Sequence, residues 1–257
     1  MTKKYTVAKE VDIEQIDATP RFIPRYKALV NEDKLDQVFA IVGRDYKVAL
    51  HQEVVDAVET TLSDLKLEST GNPEEYNEGA RLNIVKKFPN IGMQIENEFF
   101  NLTITVDNSY DLTTGLRVVV GAVKRDTNTQ CFIPDRFANL YHKHTKGMMI
   151  DDIRGSVHKG ISVFQNKIRE DFERMVATPI DPTEASIKFD DLSSEDSKSL
   201  IPKKYLEEVK KAVDEKQPTT QWRLYKLVME TLAPLDFSLE RRRQVTLEFV
   251  KVVRSLG

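Results

Sequence analysis

The amino-acid sequence predicts an α+β protein: an antiparallel β-meander packed by a long helix (a β-β-β-α core), followed by a small C-terminal three-helix bundle. Residues 102–107 alternate between apolar and polar side chains, which is typical of a half-buried strand. Residues 116–123 are almost all apolar, as in a strand that is covered on both faces. Residues 151–177 carry an apolar side chain at every third or fourth position, which indicates an amphipathic helix. We expect this helix to pack on the sheet that precedes it.

The elements before the meander follow from the same periodicities. The segments RYKALV and QVFAIV, within residues 25–42, flank a polar turn and predict a β-hairpin. From about residue 52 the apolar side chains recur at helical spacing, which predicts a helix of roughly four turns. Its apolar face is formed by Val54, Val55, Val58, Leu62 and Leu65. Residues 69–79 are rich in Gly, Asn and Pro, which predicts a loop. After this loop, residues 81–88 and 91–96 are predicted to form further strands.

A change of composition separates the core from the C-terminal region. Residues 178–199 are rich in Pro and Ser and hold six acids against two lysines, which favours a linker. Three helical patterns follow, at about 202–216, 219–233 and 238–255. The predicted organisation is therefore an α+β core domain over residues 1–177, an acidic linker over 178–200 and a helical domain over 201–257.

Composition limits the class of protein. The chain of 257 residues has a formal charge of -3 and a single cysteine, Cys131, so no intrachain disulfide forms and a reducing compartment is favoured. No apolar run follows the two lysines of the N-terminus, and no segment approaches the roughly 20 apolar residues of a membrane span. These observations predict a cytoplasmic protein with no membrane partner.

The positive charge is concentrated in one part of the chain. Between Arg117 and Arg169 there are ten Lys/Arg against four Asp/Glu, and three of the four histidines lie in the same span. Such a footprint is expected where a backbone-phosphate groove is present, although an ordinary solvated surface is the alternative. The predicted phosphate contacts are Arg117, Lys124, Arg125, Arg154, His158, Lys159, Lys167 and Arg169.

Aromatic side chains near these cations are candidates for stacking on bases. Tyr110 lies in a polar turn and is the one that we include in the predicted nucleic-acid site. Phe132, Phe137 and Tyr141 are further candidates and lie within the basic span, and a place in the hydrophobic core is the alternative for the two phenylalanines. Trp222 falls on an apolar helical stripe and is predicted to lie in the core of the C-terminal bundle.

Catalytic and metal-binding patterns are weak. His142 and His144 have a spacing that suits two ligands on one strand, and Asp151-Asp152 is a possible cation site, but surface histidines and a helix N-terminus are the simpler interpretations. Cys131 lies in an apolar strand, where a small buried side chain is the default. The sequence holds no P-loop, dinucleotide fingerprint or nucleophile elbow. We therefore predict no enzyme, no catalytic residue, no metal and no cofactor.

Two resemblances add to this interpretation. The segments VFAIVGRDYKVALHQEVVDAVE, TVDNSYD and GLRVVVGAVKRDTNTQC resemble a family of phage and plasmid proteins of uncharacterised function, over roughly residues 25–177. Where that family continues from an arginine through Val-Cys to an asparagine, this chain has Arg125 and Cys131 six residues apart, followed by Phe132. The order of elements also resembles the β-β-β-α core of single-strand annealing proteins of the phage Red-beta and RecT type, a likeness at the level of the fold.

The second resemblance implies a function and its partners. It implies rings or filaments of identical subunits, with single-stranded DNA held by its backbone in a basic groove, and a C-terminal helical domain that recruits a host or phage replication protein. The leading hypothesis is thus a phage-type single-stranded DNA-binding and annealing protein of recombination or replication, which breaks no bond. The alternative hypothesis is a phage protein-interaction or assembly component that does not bind nucleic acid.

Overall fold

A computed structural model gives the fold and describes residues 5–15, 21–126, 130–131, 139–142, 152–193, 201–234 and 239–256. It confirms the α+β class, with two antiparallel sheets and a helical C-terminal region. The strands are β1 (Ala8–Gln15), β2 (Arg21–Asn31), β3 (Lys34–Gly43), β4 (Pro73–Tyr76), β5 (Arg81–Ile95), β6 (Glu98–Ser109), β7 (Leu116–Lys124), β8 (Gln130–Cys131) and β9 (Asn139–His142). The helices are α1 (His51–Asp64), α2 (Asp152–Val163), a π-helical turn (Phe164–Ile168), α3 (Arg169–Ala177), α4 (Pro182–Ser193), α5 (Lys203–Lys216), α6 (Gln221–Leu232) and α7 (Leu239–Arg254).

The chain forms two compact units, which do not follow the predicted domain boundaries. The first unit comprises Met1–Asn90, Thr103–Val120 and Phe137–Ile161, and the second comprises Ile91–Leu102, Gly121–Arg136 and Ser162–Gly257. The predicted boundaries at residues 177 and 201 differ from this division, because residues 91–102, 121–136 and 162–177 group with the C-terminal helices.

The first unit contains a three-stranded sheet with the order β1-β2-β3, which includes the predicted hairpin. Leu29 and Val42 point into the core, whereas Val11, Ala28 and Ile41 are in register across the three strands. Ile41 is 60% exposed, so one face of this sheet presents apolar side chains to solvent.

Helix α1 of the first unit begins at His51. The carboxylate of Glu53 accepts a hydrogen bond from the backbone N–H of Leu50 at 3.1 Å, which satisfies one of the free donors at the helix N-terminus. The predicted apolar face is confirmed for Val54, Val55, Val58 and Leu62, all of which are buried. His51 is also buried, and its backbone N–H donates to the hydroxyl of Tyr110.

The second sheet has the order β4-β5-β6-β7-β8, and β9 also pairs with β7. Strand β7 is buried along almost its whole length, as its continuous apolar sequence predicts. The two strands predicted on either side of Pro89 are one strand of 15 residues, β5, and the predicted loop over residues 69–79 includes the short strand β4.

The long helix that the sequence predicts is confirmed as a continuous helical stretch from Asp152 to Ala177. Its predicted apolar stripe is buried, apart from the half-buried Ile161. Phe164, Ile168 and Phe172 are spaced four apart, which exceeds the 3.6 residues of one α-helical turn. The wider π-helical turn over Phe164–Ile168 keeps these side chains on one buried face.

The second unit contains the three predicted C-terminal helices, and a fourth helix that the sequence interpretation missed. The prediction of a linker is wrong for residues 182–193, which form α4 and pack on α5 and α7. Asp181 accepts a hydrogen bond from the backbone N–H of Thr183 at 2.8 Å, and proline at the first helical position favours helix initiation. Phe189 is buried and meets the ring of Phe249 with the ring centroids 5.5 Å apart.

An aromatic cluster forms the core of the second unit. Trp222 of α6 is fully buried, and its ring centroid lies 4.7 Å from that of Phe172 and 5.5 Å from that of Phe100. Tyr225 stacks on Trp222 from the same helix, with the centroids 5.6 Å apart. The predicted core position of Trp222 is therefore confirmed.

Candidate nucleic-acid interface

The predicted phosphate contacts are divided between the two units. Those of the first unit are Arg117, Arg154, His158 and Lys159, and those of the second are Lys124, Arg125, Lys167 and Arg169. Two residues that the sequence placed in the site, Arg117 and Tyr110, are buried.

The helix residues among them are all exposed. Arg154, His158 and Lys159 lie on α2, Lys167 lies in the π-helical turn, and Arg169 begins α3. From Ile153 to Arg169 this stretch of sequence contains no Asp or Glu. The polar surface of the helix is therefore cationic for 17 residues, and its positive charge has no carboxylate from the same stretch to compensate it.

Two of these arginines pair with carboxylates from elsewhere in their own unit. Arg154 Nη1 lies 3.2 Å from Asp64 Oδ2, and Arg169 Nε lies 3.5 Å from Glu173 Oε1. All four side chains are more than two-fifths exposed, and ion pairs of this kind are weak and easily exchanged. A phosphate can replace the carboxylate at either position at little cost.

Arg117 does not lie on the surface, although the sequence interpretation placed it in the phosphate site. It is only 7% exposed, its guanidinium donates to Thr114 Oγ1, and its Nε lies 3.8 Å from Asp107 Oδ2. A buried guanidinium is retained only where such partners compensate its charge. We therefore correct the prediction: Arg117 stabilises the fold of the first unit and does not face solvent.

Lys124 belongs to an ion-pair network of the second unit. Its Nζ lies 2.5 Å from Glu98 Oε1 and 3.6 Å from Glu230 Oε1, and Lys226 Nζ lies 3.0 Å from Glu98 Oε2. The hydrogen bond with Glu98 raises the pKa of Lys124, and the two lysines hold the pKa of Glu98 below its usual value despite its partial burial. The charge of Lys124 is thus already compensated, which makes it the weakest of the remaining predicted phosphate contacts.

Arg125 has a different environment. Its guanidinium carbon lies 4.9 Å from the centroid of the Phe99 ring, and its Nη2 donates to Asn101 Oδ1 at 3.1 Å. Within the described residues no carboxylate lies within 4.0 Å of this guanidinium, in contrast to those of Arg117, Arg154 and Arg169. Among the residues that the structure describes, Arg125 therefore has no ion-pair partner, and its charge lies beside an exposed aromatic ring.

The prediction that Tyr110 stacks on a base is wrong for this structure. Tyr110 is fully buried, and its ring stacks on that of His51 with the centroids 3.9 Å apart. Its hydroxyl accepts from the backbone N–H of His51 at 2.7 Å and donates to the backbone oxygen of Thr6 at 3.1 Å. Burial raises the pKa of this hydroxyl above its usual value. Tyr110 is thus a core residue of the first unit.

A buried amide completes the surroundings of His51. Asn108 Nδ2 lies 3.0 Å from His51 Nδ1 and donates to the backbone oxygen of Ala49 at 2.8 Å, while His51 Nε2 lies 3.1 Å from the backbone oxygen of Gly79. These hydrogen bonds join α1 to β6. The polar sequence Asn108-Ser109-Tyr110 therefore connects elements of the fold.

Phe99 is the residue of the candidate interface that sequence reasoning missed. It precedes Phe100, and because neighbouring residues of a strand point to opposite faces, the two rings lie on different faces of β6. Phe100 is buried and Phe99 is 43% exposed. The two adjacent phenylalanines were the available signal for an outward aromatic side chain.

Several other candidates lie outside what the structure describes. The side chains of Phe132, Phe137, Tyr141, Cys131, His142, His144 and Asp151 are among them. Within the described residues there is no group of three or more His, Cys, Asp or Glu side chains that could hold a metal ion. None of the helices in the described ranges has the length and apolar character needed to cross a membrane.

Comparison with known proteins finds no matching family model, no matching curated protein and no matching solved structure. The resemblances to the phage and plasmid family and to the annealing proteins therefore stay hypotheses.

Proposed function

We propose that this chain binds single-stranded DNA through its phosphates and pairs complementary strands, as a phage-type recombination or replication protein. The observation that carries the proposal is the helical stretch from Ile153 to Arg169, in which five exposed basic side chains occur and no acid does. A chain with a net charge of -3 that concentrates cations on one helix matches the charge pattern of proteins that contact a phosphate backbone.

Two further features support the proposal. Strands β6 and β7 and the short strands after them precede α2, which is the order on which the resemblance to single-strand annealing proteins rests. The ion pairs made by Arg154 and Arg169 are solvent-exposed. Both arginines can therefore bind a ligand without leaving the carboxylate of Asp64 or Glu173 buried and unpaired. The residues proposed to contact phosphates are Arg125, Arg154, His158, Lys159, Lys167 and Arg169.

Charge reversal on α2 tests this proposal. The variant Arg154→Glu/Lys159→Glu is compared with Lys211→Glu/Lys216→Glu, which alters net charge equally at exposed positions of α5. We expect the α2 variant to weaken binding to a fluorescent oligothymidylate and to lower the salt slope of the affinity by roughly 0.7 for each lost phosphate contact. The α5 variant is expected to bind almost as the unmodified chain does.

The measurement is fluorescence anisotropy over roughly 50–200 mM salt, a range in which phosphate contacts dominate the change in affinity. A second assay follows the annealing of complementary strands that carry donor and acceptor dyes. Absence of binding at the lowest salt, or equal effects of the two double variants, would contradict the proposal.

A second candidate function is protein assembly without nucleic acid, and the three-stranded sheet favours it. Its face and edge expose large apolar side chains: Val11, Tyr26, Leu35, Val38 and Ile41. Strands β1 and β3 are the end strands of this sheet, and an apolar end strand readily pairs with the same strand of a second copy. The same surface would serve the homo-oligomer that the annealing hypothesis requires.

Light scattering on the purified chain tests this second candidate. We expect an oligomer that the substitution Ile41→Lys disrupts, and a substitution of the buried Val42 is unsuitable because it would disturb the core. If the oligomer forms while no nucleic acid binds at low salt, assembly replaces DNA binding as the function. A monomer at all concentrations would exclude self-association through this sheet.

A further inference from the structure

An exposed aromatic ring with a cation against it is found on the outer face of β6. Phe99 points away from the core that its neighbour Phe100 enters, and it retains 43% of its accessible surface. The guanidinium carbon of Arg125 lies 4.9 Å from its ring centroid, within the distance at which a cation is attracted to the face of an aromatic ring.

The position of Arg125 is determined by two hydrogen bonds. Its backbone N–H donates to the backbone oxygen of Phe99 at 2.9 Å, and its Nη2 donates to Asn101 Oδ1 at 3.1 Å. Asn101 itself has Gly92 of β5 as a neighbour, where an added Cβ would lie 2.9 Å from Asn101 Oδ1. The absence of a side chain at Gly92 leaves the room in which Asn101 holds the guanidinium.

A comparison with Tyr76 shows what distinguishes this pair. Tyr76 is similarly exposed and has the guanidinium carbon of Arg81 at 6.0 Å from its ring centroid. Arg81, however, donates to Asp111 Oδ2 at 2.7 Å, so its charge is compensated. Within the described residues Arg125 has no such carboxylate, and its charge remains available to an anionic ligand.

Aromatic and guanidinium planes are the groups on which unpaired bases stack, and the guanidinium also attracts the adjoining phosphate. Bases within a duplex have both faces covered by their neighbours, so they cannot use such a surface without unstacking. The chemistry of the pair therefore selects single strands over duplexes.

We propose that Phe99, with Arg125 against its ring, is a stacking platform for one unpaired base of a bound single strand. This inference rests on the proposed function and adds to it a residue and a basis for strand selectivity. The platform lies entirely within the second unit, and it supplies the aromatic contact that the buried Tyr110 cannot make.

The test compares Phe99→Leu, which keeps an apolar side chain but removes the aromatic face, with Phe99→Trp, which retains one. The matched control is Tyr76→Leu, the exposed ring whose arginine is already paired. We expect Phe99→Leu to weaken oligothymidylate binding by about tenfold, within the range known for loss of a stacked base, and to leave the salt slope unchanged. Phe99→Trp and Tyr76→Leu are expected to bind like the unmodified chain.

A second readout follows the base itself. An oligonucleotide with 2-aminopurine reports stacking by quenching of its fluorescence, and we expect Phe99→Leu to reduce the quenching on binding whereas Tyr76→Leu leaves it intact. Duplex affinity is expected to be equal for all three variants. Circular dichroism confirms that each variant is folded before binding is measured.

The outcomes separate the platform from the proposed function. If the unmodified chain binds single strands and Phe99→Leu binds them equally well with equal quenching, the platform is overturned and DNA binding stands. If Phe99→Leu lowers the salt slope like a lost phosphate contact, Phe99 acts only by positioning Arg125, and stacking is overturned. If the unmodified chain does not bind single strands at low salt, both the stacking platform and the proposed DNA binding are contradicted.

Discussion

Two glycines on α2 provide a direct test of how this helix packs in the first unit. An added Cβ at Gly160 would lie 2.3 Å from Val120 Cγ2, whereas one at Gly155 would meet no atom of the described residues within 4 Å. Val120 is buried on β7, and its branched side chain has a strongly preferred rotamer, so it cannot move aside freely. We expect Gly160→Ala to destabilise the chain and Gly155→Ala to stabilise it.

The magnitudes follow from two opposing contributions. Replacing a helical glycine by alanine stabilises a helix by about 0.8–1 kcal/mol, and this is the whole effect expected at Gly155. At Gly160 the same gain is set against an overpacking cost of about 1–3 kcal/mol. The two alanine variants should therefore differ in the free energy of unfolding by about 1–3 kcal/mol, or roughly 2–12 °C in Tm for a chain of this size.

Urea unfolding followed by circular dichroism measures the difference. The substitution Val120→Ala is added to each variant, because removal of the Val120 methyl groups opens the space that the methyl group introduced by Gly160→Ala needs. We expect Val120→Ala to be less costly in the Gly160→Ala background than in the unmodified chain, a coupling that is typical of side chains in contact. Equal stability of the two alanine variants, or full additivity with Val120→Ala, would refute the close approach of α2 to β7.

Three further predictions concern two buried groups, Tyr110 and Trp222, and the half-buried Glu98. Tyr110→Phe leaves the backbone N–H of His51 without its acceptor, so urea unfolding should show a loss of about 2–3 kcal/mol, with DNA affinity unchanged for the folded variant. Because the pKa of Glu98 is lowered on folding, its ionised carboxylate stabilises the fold at a pH above its pKa in the unfolded chain, and this stabilisation is lost as the pH falls through its pKa in the folded chain. Acid unfolding of Glu98→Gln should lack this component. An acid-unfolding profile identical to that of the unmodified chain would contradict the ion pair with Lys124. The single tryptophan, Trp222, should emit at short wavelength and resist quenching by iodide until the second unit unfolds; ready quenching in the native state would contradict its burial.

Local periodicity predicted most of the elements, because burial on one face imposes it directly. The stripe of the long helix follows from this constraint, whereas β7 is apolar throughout because both of its faces are buried, and β6 buries Thr103 and Thr105 although its sequence alternates. The α4 region was misjudged because proline, serine and acids occur both in linkers and in first helical turns. Its buried Ala185 and Phe189 are spaced four residues apart, which is a signal for a helix that was present in the sequence.

The candidate site was harder to predict, because it depends on contacts between distant residues. Tyr110 lies in a polar sequence, and its burial results from His51, which is 59 residues away along the chain. Arg117 had a local signal, since a single arginine within a strand covered on both faces must be buried. The pairing of Phe99 with Arg125 required the neighbouring positions of β6 and the end of β7, which no local pattern specifies.

A count of charges along the sequence overstates the charge that a ligand meets. Arg117 and Lys124 contribute to the basic span, but buried or half-buried carboxylates already compensate them. Arg154 and Arg169 of the long helix differ, because their carboxylate partners are solvent-exposed and can be exchanged for phosphate. We therefore expect the proposed single-strand binding to have two separable components: a salt-dependent one from the helix and a salt-independent one from the ring of Phe99. A chain that merely carries a solvated basic surface would show neither the difference between charge reversals on α2 and α5 nor the effect of Phe99→Leu.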